Sequence, residues 1–173
     1  MAALTWREIL AAARLAAKEH QPYFASALDA LAVHEMPGLG TMGVTERLVL
    51  MVDPAAVLKW GVKLTKAVLL HEIGHPLRDH AGRRKKMGAD GWTFNLAGDC
   101  EINDDLVAAG ETLPENPMLP EAIGAPNGLL AEEYYHKLRE QQEGGEDGEP
   151  GKPDEEGEGE VGPGRKVPKK GRG

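Results

Sequence analysis

The sequence predicts an α+β domain over residues 1–142, mostly helical, with a small β-hairpin or sheet. Three observations lead there. Apolar residues recur at three- and four-residue spacing in five stretches, the signature of helices with one buried face. One run, Leu-Val-Leu-Met-Val at 48–52, has the composition of a strand. The composition then breaks near residue 142. Residues 143–173 hold 10 Gly and 4 Pro, with 9 acidic and 6 basic residues, and only Val161 and Val167 are apolar. Such a segment buries too little surface to offset its ordering entropy, so 143–173 reads as a disordered charged tail.

The elements follow in chain order. A first helix is expected from Trp6 to Glu19, opened by Thr5 with Glu8 three residues on, a capping box, and closed by Gln21-Pro22. A second helix is expected from Tyr23 to His34, with Leu28 and Leu31 facing inward. Met36 to Gly40 reads as a loop. Thr41 to Val44 and Arg47 to Val52 read as two short extended runs. Asp53-Pro54 starts a third helix, with Asp as N-cap and Pro at the first helical position. Its pattern continues to about His80 and is open to a break at Gly61. Gly82 to Gly91 reads as a polar loop, Trp92 to Ala109 as a helix, 111–128 as irregular, and Leu129 to Gln142 as a last helix.

Composition excludes several chemistries. The chain has 173 residues, one cysteine (Cys100) and one serine (Ser26). No disulfide framework or Cys-rich metal site can form within it. Phe-Ala-Ser-Ala around Ser26 does not resemble a nucleophile turn. A net charge of −8 argues against a phosphate-tracking surface, so no nucleic-acid partner is expected. No apolar run approaches the ~20 residues of a membrane helix. Charges at Arg7 and Glu8 stand where a signal peptide is greasy, and a cytoplasmic location is expected.

One motif carries chemistry. His71-Glu72-Ile73-Gly74-His75 is an H-E-x-x-H on a predicted helix, and this chain's own composition produces that pattern by chance in only about one chain in fifty. Residues four apart share a helix face, so both imidazoles reach one Zn2+ ion. Glu72 lies beside them, placed to take a proton from a zinc-bound water as general base. Gly74, a poor helix former, makes sense where another chain segment approaches the helix.

A hydrolytic zinc site takes three protein ligands and leaves a position for water. His80, Asp99 and Glu101 are the candidates for the third. His80 lies about 140° around a continuing helix from His75, and ligates only if the helix breaks near Pro76. On the 92–109 helix, Trp92, Leu96, Asp99, Asn103 and Leu106 share a stripe about 80° wide, while Glu101 points about 180° away. A carboxylate inside an apolar stripe is costly unless paired or metal-bound. The phase favours Asp99, with His80 the competing assignment and an ion pair to an arginine of 78–84 the structural alternative.

With these motifs the chain resembles the zinc metallopeptidase domain of bacteria and phages that occurs next to a von Willebrand A-like domain. Four matches carry the resemblance: His71-Glu72-x-x-His75 extended to His80 and Arg83; Trp92 leading into Ala97-x-Asp99-x-x-Ile102-Asn103; the Leu129 region opening a helix; and Ala131-Glu132-Glu133-Tyr134-Tyr135-x-x-Leu138. It implies a zincin-like fold and peptidase activity. The chain departs from the pattern in its charged tail, where the family often continues into the A-like domain, and in Pro76 inside the extended motif.

The reading is a zinc-dependent peptidase in which His71, His75 and Asp99 hold Zn2+ and Glu72 activates water, acting on a peptide or protein substrate. The alternative is a metal-stabilised interaction module that works with a partner ATPase or a von Willebrand A-like protein through the tail. Asn103 is placed to orient Asp99 or His71. Tyr134 or Tyr135 is either an oxyanion donor or a packing residue. The 47–52 strand either pairs with an extended substrate or is purely structural. His20, His34 and His136 read as surface histidines, and Cys100 as a buried thiol.

Overall fold

The computed structural model of the chain describes residues 3–144. It is an α+β fold, mostly helical, with one three-stranded sheet. Helix α1 (Trp6–His20) opens on the expected capping box: Thr5 Oγ1 accepts from the Glu8 N–H at 3.3 Å and Glu8 Oε2 from the Thr5 N–H at 2.8 Å. A 3₁₀ turn (Pro22–Phe24) leads into the short α2 (Ala25–Ala30).

Here the structure departs from the sequence reading. Leu31 turns extended, and Ala32–Glu35 forms strand β1, not the end of a helix. It pairs in parallel with β3 (Val49–Val52), while β2 (Met42–Val44) pairs with β3 antiparallel. All four residues of β1 are exposed, so they carry no buried face to mark them. Pairing with a strand 17 residues away decides their conformation. The strand order β1-β3-β2 places β3 in the centre with both edges bonded. The 47–52 run is therefore structural and has no edge left for a substrate strand; β1 and β2 hold the two edges instead.

Helix α3 (Pro54–Leu77) starts as expected, with Asp53 Oδ1 accepting from the Ala55 N–H at 2.9 Å. It breaks at Gly61, whose φ of 63° a side chain rarely tolerates. The second half is buried without interruption from Ala67 to His75. Gly82 to Gly91 is not a loop: α4 (His80–Met87) occupies most of it, capped by Asp79 and stopped by Gly88 in the left-handed conformation. Of its charges, Lys85 and Lys86 are exposed, while Arg83 turns inward to Glu101 and Glu132. Helices α5 (Gly91–Ala108) and α6 (Ala131–Glu143) follow.

Two cores flank α5. Ile102 and Leu106 join α1, α2, the sheet and α3 in the first. Phe94, Ala97 and Cys100 join Met118, Ile123 and the Ala131, Tyr134 and Leu138 face of α6 in the second. Helix α5 is consequently buried at every position from Ala97 to Asp104. Gly74 lets it approach: a Cβ there would stand 3.0 Å from Ile102 Cδ1. Among the described residues no helix is long and apolar enough to cross a membrane. The tail expected at 143–173 lies, from residue 145 on, outside the described residues.

Candidate metal centre

Two buried helices build the site. The second half of α3 contributes His71 and His75, one turn apart on the face toward α5, and Glu72 beside His71. Helix α5 contributes Asp99 and Asn103, again one turn apart. His71 is fully buried, and Glu72, His75 and Asp99 are at most 6% exposed.

The donor atoms converge. His71 Nε2 and His75 Nε2 are 3.1 Å apart, and each is 3.3 Å from Asp99 Oδ1. One ligand atom from each of the three residues lies within 4.8 Å of the other two. A tetrahedral ion with bonds of 2.0–2.1 Å separates its ligands by about 3.3 Å, so the triangle matches the base of such a site. Glu101 and His80 stand outside this group.

The hydrogen bonds of the imidazoles set which atoms face into the triangle. His71 Nδ1 is 2.7 Å from Asn103 Oδ1, and Asn103 Nδ2 donates to the Met118 carbonyl at 2.9 Å. The second contact fixes the amide orientation, so Oδ1 accepts and His71 Nδ1 carries the hydrogen. In the neutral ring Nε2 then presents a lone pair. Asp99 Oδ1 is buried and has no hydrogen-bond partner in the structure. Lone pairs facing one another in a dry site repel unless a cation or proton lies between them. Metal-free electrostatics point the same way. Burial alone lowers a histidine's pKa, yet Asp99 and Glu72 hold His71 above its ordinary value. Burial alone raises Asp99, yet His71 and His75 hold its carboxyl well below the usual range. The cluster is built to bind positive charge, and its residues fit a metal ion.

Glu72 belongs to the same turn as the histidines but not to the triangle. Its Oε2 accepts from the Val44 N–H at 3.2 Å, which ties the carboxylate to the outer edge of β2. The contact joins residues 28 apart and involves backbone, so no side-chain pattern announces it.

His80 and Glu101 occupy places that helical phase alone does not give. The chain does break after Pro76: α3 ends at Leu77, and Asp79 adopts a φ of 52° before α4 starts at His80. The ring then turns toward the far side of His75, with the two Nδ1 atoms 3.0 Å apart. Glu101 points away from the triangle, as its phase requires, but not into solvent. It is 8% exposed, bound by Arg83 through both carboxylate oxygens (Nη1–Oε1 3.3 Å, Nη2–Oε2 3.0 Å) and by the Ala131 N–H at 2.6 Å. Helix α6 covers that face, which a single-helix projection cannot see. Arg83 also pairs with Glu132, and Arg78 Nε stands 3.5 Å from Glu101 Oε1, so the arginines of this region neutralise Glu101, not Asp99. Trp92, the reference of the buried stripe, is 45% exposed. The sequence signal for this second group is Arg83, already part of the extended motif.

The tyrosines are bound elsewhere. Buried Tyr134 donates toward Asp104 Oδ2 (2.9 Å) and the Pro126 carbonyl (3.0 Å), and its oxygen accepts from Leu129 N–H at 3.2 Å. Tyr135 reaches Asp90 at 3.2 Å. Tyr134 pins the 126–129 segment to α5, the packing alternative.

A family model described as "Putative metallopeptidase domain" matches residues 5–172. No curated protein and no solved structure matches the chain.

Proposed function

This chain belongs to the "Putative metallopeptidase domain" family, and from that premise we propose that it is a zinc-dependent peptidase of zincin-like fold. The observation that carries the proposal is the triangle of His71 Nε2, His75 Nε2 and Asp99 Oδ1, 3.1–3.3 Å on a side, with Glu72 on the same helical turn. Two neutral imidazoles and one carboxylate suit zinc, which accepts nitrogen and oxygen donors at one distance and has no redox demand.

His71, His75 and Asp99 hold the ion. Zinc held there would supply Lewis acidity for the scissile carbonyl and would bring the pKa of water toward ~7. Asn103 holds the His71 ring in the tautomer that offers Nε2. Glu72 takes the proton of the attacking water and passes it to the leaving amine. The Val44 N–H fixes the rotation of the Glu72 carboxylate, so the base meets the water without reorganising. Strand β2 contributes that donor from the sheet edge nearest the site.

The test is Glu72→Gln, assayed on casein and on a quenched fluorescent peptide library. Zinc content should stay at the wild-type level while turnover falls by about 10²–10⁴, the usual worth of a general base. Unchanged hydrolysis, or no hydrolysis in the zinc-loaded wild type, overturns the peptidase reading. The second of these results favours a metal-stabilised interaction module.

A further inference from the structure

His80 is a buried polar group outside the triangle whose burial the ligand set leaves unexplained. It is 1% exposed and wedged between α3 and α5. The fold makes room for it at some cost. Asp79, a non-glycine residue at φ 52°, turns the chain so that the ring faces back under α3. Helix α5 has no side chain where the ring lies: a Cβ on Gly98 would stand 2.6 Å from His80 Nδ1 and 2.9 Å from Cε1. Phe94 packs edge-on against the ring's other side, with centroids 6.2 Å apart.

We infer that His80 is a positioning residue for the metal centre, linking His75 to the Glu101–Arg83 ion pair in a histidine–histidine–carboxylate chain. The inference rests on the metal reading above. A metal on His75 Nε2 requires the hydrogen of that ring on Nδ1. The 3.0 Å contact between the two Nδ1 atoms then runs in one direction, with His75 donating and His80 accepting. A neutral His80 that accepts at Nδ1 carries its hydrogen on Nε2. That atom faces Glu101 Oε2 at 3.4 Å, longer than a made bond, and has no other partner in the structure. Glu101 cannot swing away, because Arg83 grips both its oxygens and the Ala131 N–H holds Oε2. Arg83 is itself fixed by Glu132, with Nε–Oε1 at 2.8 Å. With the metal bound, the His75 Nδ1 hydrogen points to His80 and the His80 Nε2 hydrogen to Glu101.

Metal-bound histidines usually pass their second N–H to a carboxylate, a carbonyl or water, and losing that partner lowers metal affinity or activity 10–100-fold. In this protein a second imidazole is interposed. It carries the pull of Glu101 from across α5 to the Nδ1 side of the His75 ring, opposite the Nε2 that faces Asp99. Asn103 performs the corresponding task for His71 directly.

The experiment uses the full-length chain and zinc alone as probe. Long-range ¹H–¹⁵N NMR of the imidazoles in the zinc-loaded wild type should show His75 protonated at Nδ1, and His80 protonated at Nε2 with a bare Nδ1. A chelator-competition titration should show His80→Phe binding zinc about 10–100-fold more weakly. His80→Gln, whose amide oxygen can accept from His75, should recover most of that loss. Glu101→Gln should weaken binding less than His80→Phe. If His80→Phe does not fold, the wild-type tautomers and Glu101→Gln still decide. Tight zinc binding that is indifferent to a folded His80→Phe, or a protonated His80 Nδ1 in the zinc-loaded wild type, overturns the positioning role alone. A wild type with no zinc affinity overturns the metal reading, and this inference with it.

Discussion

Asn103 Oδ1 lies 2.7 Å from His71 Nδ1, joining two buried helices through residues 32 apart in the chain. The same amide donates to the Met118 carbonyl at 2.9 Å, so one side chain sets a histidine tautomer and anchors the 111–119 segment. Asn103→Ala strips the His71 N–H of its acceptor. Zinc affinity should fall about 10–100-fold, and the metal-free chain should lose about 1–3 kcal/mol from the unpaired buried groups. Calorimetric zinc titration and urea unfolding read the two effects separately.

Two glycines on facing helices make a graded packing test. In Gly98→Ala the new Cβ meets His80 Nδ1 at 2.6 Å, on a ring held by His75 and Phe94. In Gly74→Ala it meets Ile102 Cδ1 at 3.0 Å, the end of a flexible side chain. Overpacking of the first kind costs about 1–3 kcal/mol. Both positions lie inside helices, so each gains roughly 1 kcal/mol in helix propensity, and the milder contact at Gly74 leaves less strain for that gain to offset. Scanning calorimetry should place Gly98→Ala well below wild type and Gly74→Ala between them; the reverse order contradicts the packing described.

Burial pushes the Cys100 thiol up to about 12, helped by the nearby Asp99 and Asp104 carboxylates. The thiolate is the reactive form. Native protein at pH 8 should therefore react with Ellman's reagent only at the rate of unfolding, and fully once denatured. Rapid stoichiometric reaction of the native chain would show that the α5–α6 core is open.

Acid should unfold the protein partly through Glu101. Burial raises this carboxyl, but His80, Arg83 and the Ala131 N–H bring it down to about 2. A depressed carboxylate contributes stability that is complete above its unfolded value, near 4.5, and is lost as pH falls toward the folded one. Urea midpoints should hold from pH 7 to about 5 and decline below, and Glu101→Gln should flatten that decline. Asp99 adds to the decline in the same sense, so the variant should keep a residual slope. An identical acid limb in the variant would contradict the Glu101 pairing.

Much of the site was legible because it is local. Four-residue spacing aligns His71 with His75, and Asp99 with Asn103, whatever the rest of the chain does. The caps at Thr5 and Asp53 and the break at Gly61 are equally local. What the sequence hides depends on neighbours distant along the chain. Strand β1 has no buried face and exists because β3 lies beside it. Glu101 reads as solvent-facing from one helix alone, and is buried because α6 packs over α5. The break after Pro76 was foreseeable, but not the direction in which Asp79 turns His80. The Val44 N–H that holds Glu72 is backbone, which side-chain patterns do not record.

Metal content is the most direct measurement on the central claim. The full-length chain, stripped with chelator, reloaded with zinc and desalted, should carry one zinc ion per molecule by elemental analysis, with a raised melting temperature because the ion binds only the native state. Asp99→Asn, which keeps the side chain's shape and removes its charge, should lose most of the zinc and the stabilisation. A wild type that retains no zinc, or an Asp99→Asn variant that retains as much as wild type, would contradict the His71–His75–Asp99 centre.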